Sequence, residues 1–156
     1  MEQTLIILKP DALNRGLVGE IIHRFEAKGL KIIGMKMVHL DDALLERHYA
    51  HHVAKPFYPF LRDFMKRAPS IVLVLEGQEA VAVVRSMAGE THGVRAIPGT
   101  IRGDYSLSQQ ANVVHASDTR ENAKKEIERF FADEELYTYQ KIDSDIIYSE
   151  DERNPK

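Results

Sequence analysis

Apolar residues recur along this chain with two different periods, one typical of strands and one typical of helices. Thr4–Leu8 and Ser70–Leu75 are short apolar runs, as expected for strands buried on both faces. Between Val18 and Lys28, apolar residues such as Ile21 and Phe25 recur at helical spacing, with charged residues between them. The pattern therefore predicts an amphipathic helix between buried strands.

The remaining segments complete the order of elements. Leu30–Leu40 alternates like a strand, with Ile33, Met35 and Met37 predicted to face one side. We further predict helices over 41–50, 59–66 and 79–87, a long surface loop over 89–103, a short strand over 112–116, and a helix over 119–131 capped by Ser117 or Asp118. This order is the split β-α-β pattern, so we expect an α+β, ferredoxin-like fold: a four-stranded, mainly antiparallel sheet (βαββαβ) with added helices.

Length and composition favour one domain. The chain has 156 residues, of which 44% are hydrophobic and 29% charged, which suits a single core. We expect this domain to span residues 1–148. The charged, apolar-free stretch 149–156 is expected to be a flexible tail.

Several function classes are disfavoured by composition. The chain has no cysteine, which excludes disulfides, cysteine zinc sites and a cysteine nucleophile, and favours a reducing compartment. No apolar run approaches the roughly 20 residues that span a bilayer, and the N-terminus lacks a basic segment followed by an apolar one. We therefore expect a cytoplasmic protein without membrane contact. The net charge of −3 argues against broad affinity for nucleic acid.

The candidate chemistry lies in basic residues and histidines. No glycine-rich phosphate loop opens a helix, so a nucleotide would have to be held by side chains such as Lys9, Arg85 and Arg102. Taken singly, each of these has solvated surface charge as its simpler interpretation. His48 and His51 have, together with the histidine at 52, the spacing of metal ligands on a helix. No acidic or thiol fourth ligand lies close in sequence, so an exposed polar helix face is the simpler interpretation.

His115 differs from the other histidines by its position. It follows the apolar pair Val113–Val114 where a strand gives way to a helix, and Glu126 lies in that helix. A carboxylate bound to one ring nitrogen would fix the tautomer and leave the other nitrogen nucleophilic. From spacing alone, however, a structural histidine remains the simpler interpretation.

Segments along nearly the whole chain resemble the nucleoside diphosphate kinase family. Asn112–Asp118 (NVVHASD) is similar to the family's active-site signature. Further segments that resemble the family occur in family order: TLIILKPD at 4–11, RGLVGE at 15–20, KPF at 55–57, GET at 89–91, PGTIRGDY at 98–105 and IIY at 146–148. Several matches in order make chance agreement improbable.

The resemblance implies a ping-pong transfer of the terminal phosphate of a nucleoside triphosphate to a diphosphate, with broad base tolerance. It implies His115 as the phosphate carrier, assisted by Glu126, Ser117 and Tyr49. The implied nucleotide-binding residues are Lys9, Arg85, Thr91 and Arg102 for the phosphates, with His52 less certain, Asn112 with Lys9 for the ribose, and Phe57 and Leu61 for the base.

The resemblance also implies a cofactor and an assembly. Mg²⁺ would be held mainly by nucleotide phosphates and water, with no dedicated protein site; Asp118 could contact it through water. The family forms homo-oligomers, and we expect a homohexamer. The chain departs from the common pattern at Ala116, at Gln109–Ala111, at His92–Gly93 and beyond Tyr148.

Two other functions compete with this one. A ferredoxin-like module could bind nucleotide or single-stranded nucleic acid on its sheet without catalysis, but the negative charge and the lack of an aromatic-rich strand weigh against it. A catalytically silent scaffold would be expected to lack His115 or Lys9, and both are present.

Overall fold

The computed structural model describes residues 1–153, which form four strands and nine helices. The strands are β1 (Glu2–Leu8), β2 (Lys31–Val38), β3 (Ser70–Gly77) and β4 (Val114–Ala116). The helices are α1 (Pro10–Asn14), α2 (Val18–Ala27), α3 (Asp42–His48), α4 (Tyr58–Met65), α5 (Ala80–Ala88), α6 (Ile101–Tyr105), α7 (Arg120–Phe130), α8 (Ser144–Ile147) and α9 (Glu150–Arg153), with 3-10 turns at Gly93–Arg95 and Asp133–Glu135.

The strands form one sheet in the order β2-β3-β1-β4, and every adjacent pair is antiparallel. The segment containing α2 connects β1 to β2, which lie on either side of β3, and α5 lies between β3 and β4 in the chain. This is the predicted βαββαβ arrangement. The ferredoxin-like α+β fold is therefore confirmed.

The central strand β1 is buried on both faces. Leu5 and Ile7 belong to a hydrophobic cluster that includes residues of α3, α4 and α7. Ile6 and Leu8 belong to a second cluster, with residues of α2 and α5. Two cores on opposite faces explain why the strand is a continuous apolar run rather than an alternating one.

The prediction for β2 is wrong in one respect. A bulge between Ile32 and Gly34 leaves Ile33 without a partner in the ladder with β3. Ile33 is buried in the cluster with α3, α4 and α7, whereas Met35 and Met37 are exposed. An extra residue in a strand reverses the faces of the residues after it, so these three side chains do not share one side.

The predicted loop over residues 89–103 contains regular structure. It includes the 3-10 turn and the start of α6, whose N-cap is Thr100, because its side chain accepts a hydrogen bond from the Gly103 backbone. The chain packs closely here, since a Cβ on Gly103 would lie 2.0 Å from the Ile97 carbonyl oxygen. Glycine at this position allows the turn that short-range patterns did not reveal.

The predicted cap of α7 also needs correction. Helix α7 is capped by Thr119, which accepts from the Asn122 backbone, and not by Ser117 or Asp118. The Ser117 hydroxyl instead donates to the Glu126 carboxylate, and the Asp118 carboxylate accepts from the side-chain amide of Asn122.

The tail contains helix α9, within a stretch expected to be flexible. The Ser149 backbone and hydroxyl donate to the Glu152 carboxylate, and the Gln78 amide donates to the Glu152 carbonyl. Residues 154–156 of the predicted tail lie outside the described residues. In the part of the chain that is described, no helix has the length and apolar character needed to cross a bilayer.

Candidate active site

A cavity of about 490 Å³ opens where β1 ends and β4 begins. Its walls come from segments spread along the chain from Lys9 to Glu126. The lining residues are Lys9, His48, Tyr49, His51, His52, Phe57, Leu61, Arg85, Thr91, Arg102, Gln109, Gln110, Asn112, Val114, His115, Ala116, Asp118, Asn122 and Glu126. All but one of the predicted site residues line it, and the exception, Ser117, is buried behind Glu126.

His115 lies in β4, paired with Ile7 of β1. Its Nε2 is 3.0 Å from Oε2 of Glu126, which reaches back from α7. Burial opposes ionisation of Glu126, but hydrogen bonds with His115 and Ser117 lower its pKa overall. An ionised carboxylate only accepts hydrogen bonds, so a neutral His115 carries its proton on Nε2 and Nδ1 keeps a free electron pair.

Ser117 holds the Glu126 carboxylate in place. Its hydroxyl donates to Oε2 of Glu126 at 2.6 Å, and the Leu5 backbone donates to the hydroxyl at 3.3 Å. Ser117 is fully buried. The carboxylate is thus tied to the central strand, which restricts the orientation of the imidazole that it binds.

A strained turn sets the position of β4. Val113 has a φ of 58°, an uncommon value for a β-branched residue. The Val114 backbone donates to the Asn112 carbonyl at 2.7 Å across this residue, which makes a γ-turn. The Val113 N–H donates to Asp11 Oδ2 at 3.0 Å, and its carbonyl accepts from the Lys9 N–H at 2.9 Å. The turn explains why β4 begins at Val114 rather than at 112.

Three basic side chains line the same cavity. Lys9 is buried, and its pKa is lowered to about 8, mainly by burial and then by Arg102, with Asp11 opposing the shift. Burial and the neighbouring Arg85 lower the pKa of Arg102 to about 10. Grouping these cations in one cavity is unfavourable in the free protein, and an anion bound among them would relieve their repulsion.

Hydrogen bonds fix the two buried cations. The Lys9 ammonium donates to Oδ1 of Asn112 at 2.6 Å and to the Gln110 carbonyl at 3.2 Å. The Arg102 guanidinium donates to the Val114 carbonyl at 2.8 Å and to the Gly89 carbonyl. Asn112 is held in turn, since its amide donates to the carbonyl of Thr91 at 2.8 Å.

An aromatic wall closes the other side of the cavity. Phe57 is 41% exposed at the end of a short turn, while Leu61 of α4 is buried beside it. The ring of His52 meets Phe57 edge-on, with centroids 5.2 Å apart. Tyr49 is buried, and burial raises its pKa. This wall offers a flat, partly exposed ring next to a buried apolar side chain.

The structure also brings in residues that sequence reasoning missed. His48 is buried at the end of α3 and contacts His115, so it does not belong to an exposed helix face. The predicted trio is divided, because His51 and His52 lie beyond that helix. A signal was present: Leu45 is apolar, and His48 and Tyr49 follow it at i+3 and i+4 on the same face.

Comparison with known proteins identifies the family. The family model described as nucleoside diphosphate kinase matches residues 2–136. The chain belongs to the nucleoside diphosphate kinase family. It is accordingly an enzyme that transfers phosphate between nucleotides, and a ping-pong mechanism through a phosphohistidine is general to nucleoside diphosphate kinases.

Individual relatives match nearly end to end. A nucleoside diphosphate kinase of Parabacteroides distasonis is 53% identical, with 97% of this chain and 99% of the relative covered. One of Pyrococcus furiosus is 54% identical, over 96% and 94% of the two chains. The structure of a halophilic nucleoside diphosphate kinase from Halobacterium salinarum in complex with CDP superposes with a TM-score of 0.92 at 40% identity, covering 94% of this chain and 98% of that one.

The hydrogen bond from the Val113 backbone to Asp11 leads to a prediction about stability. Replacing Asp11 with alanine removes the acceptor of the Val113 N–H and leaves a strained turn unsupported. We expect the free energy of unfolding to fall by about 1–3 kcal/mol, as when a buried donor loses its partner. Urea unfolding at a fixed protein concentration measures the change.

Asp11→Asn is the matched control, since it keeps a carbonyl oxygen at the same place. It should retain most of the stability that Asp11→Ala loses. Equal losses in both variants would show that the carboxylate charge, rather than the hydrogen bond, supports this turn.

Proposed function

We propose that His115 is the phosphate carrier of this kinase. The observation that supports the proposal most strongly is the hydrogen bond between Nε2 of His115 and Glu126, because it leaves Nδ1 unprotonated within a cavity lined by three cations. Glu126 and Ser117 are the orienting pair. Tyr49, buried beside them, is proposed to assist through its hydroxyl, which has no hydrogen-bond partner in residues 1–153.

The reaction has two half-steps at one site. Nδ1 of His115 attacks the terminal phosphorus of a nucleoside triphosphate; an N–P bond forms, the P–O bond breaks, and the diphosphate leaves. An acceptor diphosphate then enters, its terminal oxygen attacks the phosphorus, and the N–P bond breaks. No net proton transfer to the histidine is needed, because Glu126 keeps the Nε2 proton in place throughout.

The three cations are proposed to hold the phosphates. Arg85 and Arg102 suit forked contacts with phosphate oxygens, and Lys9 supplies a compact charge. Thr91 lies on the same wall, linked to the site through Asn112. Since phosphoryl transfer depends mainly on position and charge, fixed cations at the site account for much of the expected rate enhancement.

The nucleoside is proposed to lie along the aromatic wall. Phe57 stacks on the base, and Leu61 lines the same slot. Asn112 and Lys9, which are already hydrogen-bonded to each other, meet the ribose hydroxyls. The proposed nucleotide thus extends from Phe57 at the mouth of the cavity to His115 at the bottom of the cavity.

A divalent cation fits this arrangement. Kinases that act on nucleotides generally need one, and Mg²⁺ is the ion we propose. Only Asp118 and Glu126 contribute carboxylates to the cavity lining within the described residues, and Glu126 is bonded to His115 and Ser117. The hydrogen bond from Asn122 lowers the pKa of Asp118, so an ionised oxygen faces the cavity. Mg²⁺ would then be held by phosphates and water, with Asp118 contacting its water shell, and would neutralise phosphate charge.

The first prediction concerns the phosphoenzyme. With Mg²⁺ and ATP but no acceptor, the protein should gain one phosphoryl group per chain on His115, in a linkage that is lost in acid and kept in alkali. Mass spectrometry of the intact protein and of its peptides measures this. His115→Ala should remove label and activity together, while Glu126→Ala should slow transfer by about 10²-fold or less, as for an orienting residue.

His23→Ala is the control, since His23 is exposed on α2 away from the cavity. This variant should label normally. Full nucleotide exchange by His115→Ala, or label that survives acid, would assign the carrier to another residue.

A second prediction concerns pH. Lys9 binds phosphate as a cation and loses its proton near pH 8 in the free enzyme, so kcat/KM for a nucleoside diphosphate should fall as the pH rises through about 8. Lys9→Arg keeps its charge across this range and should lose that fall, whatever its residual activity. If the fall near pH 8 persists in Lys9→Arg, another group causes it.

A third prediction concerns the range of bases. Stacking on one phenyl ring does not discriminate among bases, and specificity requires hydrogen bonds that such a slot does not make. We expect adenine, guanine, cytosine and uracil diphosphates to differ by no more than about a hundredfold in kcat/KM. Reaction with the nucleotides of one base alone would reveal a contact that recognises the base. Gln109 and Gln110, which line the cavity, would then be the first residues to replace.

A fourth prediction concerns assembly. The chain is proposed to form homohexamers. The edge strand β2 exposes Met35 and Met37, and the segment around α6 exposes Val94, Ile97 and Leu107, so one chain leaves much apolar surface in water. Sedimentation at micromolar concentration should show a hexamer. A tetramer would correct the number of subunits, and a monomer would contradict self-association.

We also propose that the protein is cytoplasmic, which the lack of cysteine supports.

A further inference from the structure

His48 lies against the proposed phosphate carrier. Its ring centroid is 4.7 Å from that of His115, with the two ring planes 77° apart. The side chain is 6% exposed. His48 is thus a buried polar group in direct contact with the reacting residue, and the mechanism described above gives it no role.

Arg129 determines which nitrogen of His48 carries the proton. It lies three residues after Glu126 on α7, and its Nη1 is 3.1 Å from Nδ1 of His48. A guanidinium only donates hydrogen bonds, so Nδ1 has to accept. Burial and the nearby His115 lower the pKa of His48 well below its ordinary value, which keeps the ring neutral. The single ring proton is then on Nε2.

The Nε2–H group of His48 is a donor that lacks an acceptor. It is buried and has no hydrogen-bond partner among residues 1–153. Burying such a donor is unfavourable unless a partner is present at some stage of the reaction. A phosphoryl group on the adjacent His115 would bring three anionic oxygens into this part of the cavity.

We propose that Arg129 is a positioning residue which holds His48 as the Nε2–H tautomer, so that His48 donates a hydrogen bond to the phosphoryl group on His115. The proposal rests on the assignment of His115 as carrier. A hydrogen bond to an ionised oxygen is stronger than one between neutral groups, so this contact stabilises the phosphoenzyme relative to the free enzyme.

The same cluster has a second possible occupant. Single ligand atoms of His48, His115 and Glu126 lie within 4.8 Å of one another, as in a transition-metal site. Arg129 counts against a metal there. Coordination through Nε2 of a neutral His48 would move the ring proton to Nδ1, where it would face the guanidinium donor.

The tautomer can be measured directly. Long-range ¹H–¹⁵N spectra of the whole protein with ¹⁵N-labelled histidine distinguish protonated from unprotonated ring nitrogens. Wild type and Arg129→Lys should both show His48 protonated on Nε2, because lysine also only donates. Arg129→Met should shift His48 towards the Nδ1–H form. Lys125→Met, which removes a charge from an exposed position of the same helix, should leave the spectrum unchanged.

The effect on phosphate transfer is measured as the equilibrium between free and phosphorylated enzyme at fixed ATP and ADP. Arg129→Met should lower the ratio of phosphorylated to free enzyme by about tenfold, the scale of one hydrogen bond to a charged group. Arg129→Lys should restore most of the ratio, and Lys125→Met should not alter it. The KM for nucleotide should change little in any variant, since Arg129 does not line the cavity.

An unchanged His48 tautomer in Arg129→Met, or a normal ratio despite a changed tautomer, would overturn the proposal while leaving His115 as carrier. Zinc binding by the wild type that shifts the Nε2 signal of His48 would also overturn it. A wild type that takes no phosphate on His115 would overturn both this proposal and the proposed function.

Discussion

The hydrogen bond between His115 and Glu126 is the interaction on which the site depends. It joins the last strand to the helix that follows it, and it determines which nitrogen of the ring is free to react. Ser117 extends the link to the central strand through the Leu5 backbone. A histidine that would otherwise rotate is therefore oriented by the sheet itself, because three successive contacts lead from the imidazole to β1.

The surrounding structure maintains charges and a conformation that are unfavourable by themselves. Two partly desolvated cations have lowered pKa values, and Val113 adopts a left-handed backbone conformation beside them. Both features are held by neighbouring hydrogen bonds, such as the one from the Val113 backbone to Asp11. Strain and repulsion of this kind are common where a site is organised for a ligand rather than for stability.

The sequence predicted the elements whose signals are local. The apolar run of β1, the helical period of α2 and the order of strands were sufficient for the fold, because both faces of the sheet have to be covered. The bulge at Ile33 and the γ-turn at Val113 were missed, since each depends on pairing with a distant strand or on a distant side chain.

For the site, the pattern of residues alone left a structural role as the simpler interpretation of His115. Only the resemblance to the nucleoside diphosphate kinase family suggested a phosphate carrier. Only the folded chain shows His48 and Arg129 beside His115, because contacts between α3 and α7 leave no trace in short-range spacing.

The position of the phosphate on the ring tests the account most directly. Phosphoenzyme labelled with ¹⁵N-histidine and kept in alkaline buffer can be examined by ³¹P and ¹⁵N NMR, which distinguish phosphate on Nδ1 from phosphate on Nε2. Because Glu126 holds the proton on Nε2, we predict phosphate on Nδ1 of His115 alone. Phosphate on Nε2 would contradict the account, since it would require the hydrogen bond to Glu126 to break before transfer.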